Sequence, residues 1–568
     1  MFDHIIVGGG SAGCVLANRL SAKPTNKVLL IEAGEDTPPG MVPDEIADAY
    51  WVRAYLNPRF LWNDLQVTTE AHSHNQAPGR EPPLRRYEQA RVLGGGSSIN
   101  GQLANRGSPN DYDEWERRGA RGWNWDSVLP YFRKVERDLD CDDPRYHGQD
   151  GRIPVTRVLP HQWCGHAKAA GEAFKDAGYD YLPDQNGEFR DGYFALTMSN
   201  AYDRRVSAAI GYLDGATRAR PNLEILTQTQ VSELIFDGNT CIGVKVVRGG
   251  QEKEYRAREV ILSAGTIHSP AMLLRAGIGP AAELKEHGIA VRADRPGVGK
   301  GMMDHAAVIV AAWMKPEARL DRRMKRHATV GLRYSSGLPE APDGDMYMAV
   351  LSKSTWHEVG RQLGSFLTFI NRPFSENGEV RLHAPDWRRE PKVDFNLLSD
   401  YRDVTRLLDG VKKAAALHDL APLKAIADAP FPAYYSDRVK KYFSISRKNA
   451  AMTGALARLL DGPPALRRWC IDNLMTEKYD MAGVLTDQAT GEAFVREAAT
   501  GVWHCTSSNR MGAADDRRVV TDEEGRVYGV SGLRVIDASI MPVVPCANTN
   551  FPTMMLAERI AAKMLEAA

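Results

Sequence analysis

The chain has 568 residues, more than one ordinary hydrophobic core holds, so we expect a few domains. Its 72 basic and 72 acidic side chains cancel, which gives no electrostatic case for nucleic acid or an anionic membrane as a partner. Seven scattered cysteines without a Cys-x-x-Cys pair argue against a disulfide framework and against a metal site. No apolar run approaches the roughly 20 residues of a membrane span, and the first strand leaves no room for a signal peptide; we therefore expect a soluble, cytoplasmic protein.

The first 35 residues have the pattern strand, glycine-rich turn, helix, strand. An apolar strand at 5–7 leads into Gly8-x-Gly10-x-x-Gly13, and a second strand at 28–31 ends on Glu32. The first glycine permits a tight turn, the second lets the backbone approach a pyrophosphate, and the third lets the helix pack closely. The helix N-terminus attracts phosphate, and Glu32 is placed to accept hydrogen bonds from an adenosine ribose. The unit predicts dinucleotide binding without distinguishing NAD from FAD.

The later elements suggest how this unit is completed. Apolar patterns and turn residues predict strands at 223–227, 231–236, 241–247, 257–263, 307–313, 346–351, 366–370 and 533–537, and helices at 126–136, 402–480 and 552–568. The N-terminal strands need neighbours, and the strands near 223–263 and 533–537 are the best candidates. We therefore expect a mixed α/β fold whose dinucleotide-binding domain is discontinuous in sequence.

Four further blocks follow the N-terminal fingerprint. They are Gly94-Gly-Gly-Ser-Ser-Ile-Asn100 within 91–101, Gly265-Thr-Ile-His-Ser-Pro270 within 265–280, Trp503-His-Cys-Thr-Ser-Ser-Asn509 within 502–512, and Asp537-Ala-Ser-Ile-Met-Pro542 leading to Asn548-Thr-Asn-Phe-Pro552. In this order, and over nearly the whole chain, the five blocks resemble the FAD-dependent glucose–methanol–choline (GMC) oxidoreductases, including the choline dehydrogenase-like members and the aryl and furanic alcohol oxidases.

The resemblance implies two domains. A Rossmann-like FAD-binding domain is expected from residues 1–155, 195–305 and 485–568. A substrate domain, with a mostly antiparallel sheet and flanking helices, is expected from 156–194 and 306–484. Ile99 stands where some relatives carry a histidine that bonds to the flavin, so noncovalent FAD is expected.

The matched positions also imply the residues that contact FAD. The terminal helix, with Pro552 in its first turn, is expected to direct its N-terminus at the negative charge of reduced flavin. The predicted FAD contacts are Gly8, Gly10, Ser11, Ala12, Gly13, Glu32, Ala33, Leu93, Gly94, Gly95, Ser98, Asn100, Gly101, Leu103, Val231, Ala264, Gly265, Asp537, Ala538, Asn548, Thr549 and Thr553.

Catalysis is expected near the C-terminus. Alcohol oxidation needs a base for the hydroxyl proton, and a neutral histidine suits that role at working pH. The resemblance implies a histidine followed 43 or 44 residues later by an asparagine or a second histidine. His504 and Asn548 are 44 residues apart here, although Asn550 could be the inward amide instead. We expect the substrate pocket to be lined by Val502, Trp503 and Leu103.

The other residues that could belong to the site are interpreted as structural rather than catalytic. We expect packing or turn roles for His268 and His305, small core-filling roles for Cys505 and Cys546, and a solvated loop rather than an anion-binding lid for the basic run 322–327. Several aromatic side chains of the middle domain could line a pocket or fill a core: Trp356, Phe366, Phe369, Trp387, Tyr434, Tyr435 and Tyr442.

The resemblance implies FAD-dependent oxidation of a primary alcohol to an aldehyde. The Val502-Trp503-His504 triplet resembles that of bacterial oxidases of furanic and aryl primary alcohols, which favours O2 as the acceptor and H2O2 as the product. The alternatives are a dehydrogenase that uses a quinone or another carrier, an FAD-containing lyase or photodecarboxylase, and a flavoprotein without turnover. The alcohol and the oligomeric state stay open.

Overall fold

The N-terminal strand lies inside a seven-stranded sheet in the computed structural model, which describes residues 1–70, 83–433, 437–476 and 478–566. Its neighbours are parallel to it, and the apolar stretches 5–7, Val28–Ile31 and 260–262 are buried, as is usual in parallel sheets. The sheet order is Leu223–Leu226, Val28–Ile31, Phe2–Val7, Gln251–Leu262, Thr240–Arg248 and Gln230–Asp237, with Leu533–Val535 also paired to Gln251–Leu262.

One long strand joins the parallel and antiparallel parts of this sheet. The first half of Gln251–Leu262 pairs antiparallel with Thr240–Arg248, and its second half pairs parallel with both Phe2–Val7 and Leu533–Val535. The strand therefore begins earlier than the predicted 257–263, because the hairpin partner extends it. The strands predicted near 223–263 and 533–537 thus belong to the same sheet as the N-terminal unit, although Leu533–Val535 reaches it only through Gln251–Leu262.

The terminal helix Asn550–Glu566 packs against the first helix, Ser11–Leu20. At the centre of this contact Glu558 is fully buried. Its carboxylate accepts hydrogen bonds from the Arg19 guanidinium at 2.7 Å and from the Tyr212 hydroxyl at 2.8 Å. Because a buried charge is costly unless it is paired, these contacts fix one end of the chain on the other.

The second large sheet is antiparallel throughout. Its order is Phe431–Ala433, Ala306–Trp313, Leu363–Ile370, Met346–Leu351, Ala328–Tyr334 and Gly192–Ala195, with Thr500–Gly501 also paired to Ala306–Trp313. Helices Tyr401–His418 and Gly165–Asp176 cover it. A smaller mixed sheet contains Lys300–Met302, Gly378–Arg381, Lys392–Leu397, Gln66–Glu70 and Arg85–Arg86. The predicted mixed α/β class is confirmed, whereas the domain boundaries stay predictions.

The remaining helices follow the sequence pattern only in part, because Pro109–Arg117, Gly265–Arg275 and Gln488–Ala498 lie outside the predicted helices. Within the segment predicted as helical, 402–480, residues Phe431–Ala433 form an edge strand instead, because they complete the antiparallel sheet beside Ala306–Trp313. The other long helices are Pro109–Arg117, Trp125–Val135, Gly265–Arg275, Arg447–Leu460 and Gln488–Ala498. Among the described residues, no helix is both long and apolar enough to cross a bilayer.

A buried ionic network surrounds His147. Both ring nitrogens of His147 contact carboxylates: Nδ1 lies 3.0 Å from Glu136 and 3.1 Å from Asp138, and Nε2 lies 2.8 Å from Asp184. Arg157 pairs with Asp138 at 2.8 Å. Asp138, Cys141 and His147 are close enough together to ligate a metal ion. The imidazole of His147, however, already pairs with its three carboxylates. The metal-free prediction stays untested.

This network predicts that thermal stability falls as the pH rises towards 10. Burial alone lowers the pKa of His147, but hydrogen bonds from the ring to its three carboxylates outweigh burial and raise the pKa from 6.5 to about 10. A pKa raised by folding adds stability that is complete below 6.5 and is lost as the pH passes through the folded value. Between pH 7 and 10 the Tm should decline more steeply in the unmodified protein than in His147→Gln. Parallel declines would contradict this role.

Candidate active site

A single large cavity of about 1180 Å³ connects the glycine-rich turn with the C-terminal histidine. It begins at Gly8 and Gly10, passes His504 and Asn548, and continues over one face of the antiparallel sheet. Its far end lies under helix Arg447–Leu460, whose Met452 and Leu456 line it. The cavity exceeds the usual few hundred Å³ of a drug-sized site, so it has room for a dinucleotide together with a second molecule.

The N-terminal turn has the geometry of a dinucleotide cradle. Gly8 has φ +101°, a conformation that other residues avoid, and a Cβ there would lie 2.4 Å from the Ser263 carbonyl oxygen. A Cβ on Gly13 would lie 1.9 Å from the Gly8 carbonyl oxygen, so the helix can approach the strand only at a glycine. A Cβ on Gly10 would meet nothing within 3.8 Å, because this position faces the open cavity.

The acidic residue at the end of the second strand is held by the backbone. The Glu32 carboxylate accepts the Gly9 N–H at 2.9 Å and the Gly34 N–H at 2.7 Å. Burial raises the pKa of this carboxyl, and the two N–H donors oppose that shift. Each carboxylate oxygen keeps a further lone pair, and the side chain lines the cavity, so it can still accept hydrogen bonds from a ribose.

These residues fit FAD on structural grounds. The first helix has neither a side-chain cap nor an acidic residue in its first turn, which leaves its N–H groups available to phosphate. Around Gly96 and Gly101, where the sequence predicts the flavin, a Cβ would meet nothing within 4 Å. Thr549 and Thr553 line the same space at the start of the terminal helix. Backbone donors therefore surround both ends of an elongated ligand.

All but four of the predicted FAD contacts line the cavity. The four exceptions, which pack behind the residues that line the cavity, are Gly13, Leu93, Gly94 and Ser98. Gly13 faces the first strand, Leu93 and Ser98 are fully buried, and the Ser98 hydroxyl donates to the Leu93 carbonyl at 2.9 Å. Gly94 turns the chain with φ +93°. These residues shape the wall from behind, and their contact with FAD stays a prediction.

His504 lies just beyond an edge strand of the antiparallel sheet. The pairing of Thr500–Gly501 with Ala306 and Ala307 brings residues 502–504 beside Asp304 and His305. The Asp304 carboxylate accepts the backbone N–H of His504 at 2.9 Å and that of His305 at 2.8 Å. Burial raises the pKa of Asp304 to about 7, although the backbone donors oppose this shift. Through these hydrogen bonds, Asp304 holds the backbone of His504 in place and thereby positions its imidazole ring.

A chain of hydrogen bonds sets the tautomer of His504. His305 Nε2 lies 3.2 Å from the Pro545 carbonyl oxygen, which can only accept, so Nε2 carries the proton and Nδ1 of His305 is an acceptor. That Nδ1 lies 3.0 Å from Nδ1 of His504, which must therefore be the donor. Nε2 of His504 is consequently left as an acceptor, and Nδ2 of Asn548 donates to it at 2.9 Å.

The electrostatics keep this imidazole neutral. Burial lowers the pKa of His504 to about 3, and burial also holds the pKa of His305 well below its ordinary value. Both rings are therefore uncharged at neutral pH, as a general base requires before it accepts a proton. Oδ1 of Asn548 is buried and has no partner among the described residues. Asn550 instead accepts from the Ser11 hydroxyl at 2.7 Å, away from the imidazole.

His305 was assigned a packing or turn role from the sequence, but it contacts His504 directly. We therefore expect His305→Phe to slow alcohol-dependent flavin reduction by about 10- to 100-fold, the cost of leaving one buried donor unpaired. The phenyl ring keeps the stacking on Phe369, whose ring centroid lies 5.7 Å from that of His305. Stopped-flow reduction measures the rate, and its pH profile should shift because the tautomer is no longer fixed. An unchanged rate and profile would leave His305 a packing residue.

The predicted pocket wall surrounds this pair. Val502, Trp503 and Leu103 all line the cavity. Trp503 adopts φ +59°, which is rare for a bulky residue and occurs where the surroundings impose it. Its ring makes an edge contact with Tyr55 at 5.2 Å and stacks with Tyr87 at 6.4 Å. Trp503 is therefore both a wall of the cavity and part of a packed aromatic cluster.

The other candidates mostly follow the structural interpretations. His268 contacts Glu390 at 3.0 Å and packs on Trp62. In the basic run, Arg322 and Lys325 are exposed and pair with carboxylates, whereas His327 is buried and lines the cavity. Burial raises the pKa of the Cys505 thiol to about 12, which keeps it unreactive, and that of Cys546 well above its ordinary value.

The aromatic candidates divide between pocket and core. Phe369, Trp387 and Tyr442 line the cavity. Phe366 is fully buried in the core, and Trp356 donates its Nε1–H to the Phe443 carbonyl at 2.7 Å. Tyr434 and Tyr435 lie outside the described residues. Cavity residues that the sequence did not single out include Trp51, Tyr55, Gln89 and Ser365.

Known proteins resemble this chain over its full length. The GMC oxidoreductase family model matches residues 2–307 with its N-terminal part and 373–557 with its C-terminal part. The chain is 44% identical to a 5-(hydroxymethyl)furfural oxidase of Methylovorus sp. (strain MP688), covering 100% of this chain and 99% of the relative. It is 31% identical to an oxygen-dependent choline dehydrogenase of Burkholderia multivorans, over 99% of this chain and 93% of the relative.

Solved structures agree with this match. Pyridoxine 4-oxidase from Mesorbium loti superposes with a TM-score of 0.80 at 26% identity, covering 100% of this chain and 99% of the other. A fungal aryl-alcohol oxidase superposes with a TM-score of 0.74 at 20% identity, which supports the fold alone, over 100% and 99% of the two chains. The fold and the paired histidine and asparagine beside a dinucleotide cradle define a flavin-dependent oxidoreductase. The chain belongs to the GMC oxidoreductase family.

Proposed function

We propose that this protein oxidises a primary alcohol to an aldehyde with FAD and passes the electrons to O2, forming H2O2. One observation carries the proposal: the neutral Nε2 of His504 and the amide of Asn548 lie 2.9 Å apart and both line the cavity that holds the dinucleotide cradle. The 5-(hydroxymethyl)furfural oxidase and the pyridoxine 4-oxidase among the relatives support an alcohol donor and O2 as the acceptor.

The residues act on the proton and on the orientation of the alcohol. A hydroxyl that enters between the two side chains can donate its proton to Nε2 of His504 and accept from Nδ2 of Asn548. Nδ1 of His504 stays bonded to His305, so the ring cannot rotate while it accepts the proton. When bound, FAD supplies the hydride acceptor. The apolar walls exclude water, which strengthens each of these hydrogen bonds.

The test follows flavin absorbance without oxygen and then with it. Primary benzylic, furanic and aliphatic alcohols should bleach the flavin anaerobically, and admitted O2 should restore the colour while forming one H2O2 per aldehyde. Bleaching followed by reoxidation slower than about one per second would favour a dehydrogenase that uses a quinone or another carrier, given typical turnover numbers. A flavin that no alcohol reduces in the dark would contradict the proposal and favour the lyase alternative.

We also propose that FAD is held without a covalent bond. Ile99 lines the cavity with an aliphatic side chain that has no nucleophilic atom. Acid precipitation should therefore release all of the flavin into the supernatant, and a yellow pellet would contradict the proposal. A cytoplasmic location is likewise proposed, on the basis that all seven cysteines are free thiols, as is usual in a reducing compartment.

A further inference from the structure

Three buried side chains at the far end of the cavity each carry one polar atom that has no hydrogen-bond partner among the described residues. They are Thr355, His357 and Ser365, which are 2%, 8% and 1% exposed. The Oγ1 of Thr355, the Nε2 of His357 and the Oγ of Ser365 make no hydrogen bond among the described residues. A buried polar atom left unpaired is costly, so one such atom on a cavity wall requires an explanation and three indicate a site for another polar molecule.

The antiparallel sheet determines the position of Ser365. In strand Leu363–Ile370, alternate residues face the cavity, and these are Leu363, Ser365, Leu367 and Phe369. Phe369 stacks on His305 at the catalytic end. Ser365 lies four residues further along the strand, about 13 Å away at roughly 3.3 Å per residue. It pairs with Ala311 and Leu351 in the neighbouring strands, so its hydroxyl is surrounded by apolar side chains.

Thr355 and His357 reach the same end of the sheet through the connection between two strands. Strand Met346–Leu351 ends opposite Ser365, and the chain returns through helix Glu358–Gln362 to the start of strand Leu363–Ile370. His357 caps this helix, and its Nδ1 accepts the Gly360 N–H at 3.2 Å. Nε2 of His357 must therefore carry the ring proton, so the unpaired atom is a donor.

We propose that Thr355, His357 and Ser365 form a distal subsite that binds an uncharged oxygen, a hydroxyl or a carbonyl, at the far end of the alcohol substrate. The proposal rests on the proposed alcohol oxidation and extends it to the substrate class, namely elongated alcohols with a second oxygen function. One N–H donor and two hydroxyls suit an oxygen that accepts and, as a hydroxyl, also donates. The apolar residues between the subsite and His504 suit the carbon skeleton.

The charge of the walls argues against a carboxylate in this subsite. Arg275 is the only lysine or arginine among the described residues that line the cavity. It lies near Glu390, on the helix that begins at Gly265 beside the dinucleotide cradle, and not at the distal end. Lys353 influences His357 electrostatically but does not line the cavity. A carboxylate at the subsite would therefore be buried without a direct countercharge, which is far more costly than burying a hydroxyl.

The test compares matched substrates and variants of the FAD-loaded enzyme. Hexanediol and hexanol differ only in the distal hydroxyl, as do para-benzenedimethanol and para-methylbenzyl alcohol. Ser365→Ala and Thr355→Val remove the hydroxyls at nearly constant volume. Each should lower the preference in kcat/KM for the diol over its monoalcohol by about 3- to 10-fold, the worth of one neutral hydrogen bond. Thr329→Val is the matched control, because this hydroxyl is also buried and unpartnered but does not line the cavity.

The outcomes separate this proposal from the function on which it rests. If no alcohol reduces the flavin, the proposed function fails first. If both alcohols are oxidised but the preference is the same in Ser365→Ala, Thr355→Val and Thr329→Val, the subsite holds only water and the proposal is overturned. Hydroxyhexanoate should be a poorer substrate than hexanediol; equal kcat/KM values would overturn the requirement for an uncharged oxygen.

Discussion

Replacing His504 by alanine is expected to slow substrate-driven flavin reduction by about 10²- to 10⁴-fold, the usual contribution of a general base. The reason is local: Nε2 of His504 is an uncharged acceptor that faces the cavity, and His305 holds it in that tautomer. FAD content should be unchanged, because the dinucleotide cradle is built from other segments. Anaerobic stopped-flow mixing with a saturating primary alcohol measures the rate, and the ratio of flavin to protein absorbance measures occupancy.

His504→Gln distinguishes a base from a hydrogen-bonding partner. The glutamine amide can still bond to Asn548, but it cannot accept a proton at neutral pH. If His504 acts as the base, the glutamine variant should be nearly as slow as the alanine variant. If glutamine restores most of the rate, positioning of Asn548 would be the main role of His504, and the proposed mechanism would be wrong.

Gly13→Ala is expected to produce a protein that retains little FAD. The added Cβ would lie 1.9 Å from the Gly8 carbonyl oxygen, so the first helix must move away from its strand. Overpacking of this size costs about 1–3 kcal/mol. Because the glycine turn also forms the phosphate cradle, we expect that energy to appear as an FAD affinity reduced about 5- to 150-fold. Fluorescence titration of the deflavinated protein measures it.

The matched glycine is Gly454, inside helix Arg447–Leu460, where a Cβ would meet nothing within 4 Å. Gly454→Ala should bind FAD normally and raise stability by up to about 1 kcal/mol through helix propensity. If Gly13→Ala retained FAD as well as Gly454→Ala does, the close approach of helix and strand would not be required for binding.

The sequence predicts this site well where a motif itself makes the contact. Gly8, Gly10 and Glu32 belong to one local unit, so their spacing alone places them on the cradle wall. Leu93 and Ser98 are less direct cases, because packing behind the cavity wall can constrain a motif residue as strictly as a ligand does. Both side chains are fully buried, and the cavity is on their other side.

The contact between His305 and His504 could not be predicted from one sequence. The two residues are separated by 199 positions, and they meet only because Thr500–Gly501 joins the edge of strand Ala306–Trp313. The available signal was modest: His305 immediately precedes a strand, and His504 lies three residues after the end of another. The edge strand Phe431–Ala433 was missed for the same reason, since three residues show no period and their conformation is decided by the neighbouring strand.

The salt bridge between Glu558 and Arg19 has a consequence for biosynthesis. The first strand pairs with residues 251–262, and that strand in turn pairs with residues 533–535. The first helix packs against the C-terminal helix that carries Glu558. Contacts this distant in sequence form slowly. The segment translated first therefore remains incomplete until nearly the whole chain has left the ribosome. We therefore expect FAD to bind after the chain has been released. Until then, the apolar strands depend on chaperones for protection from aggregation.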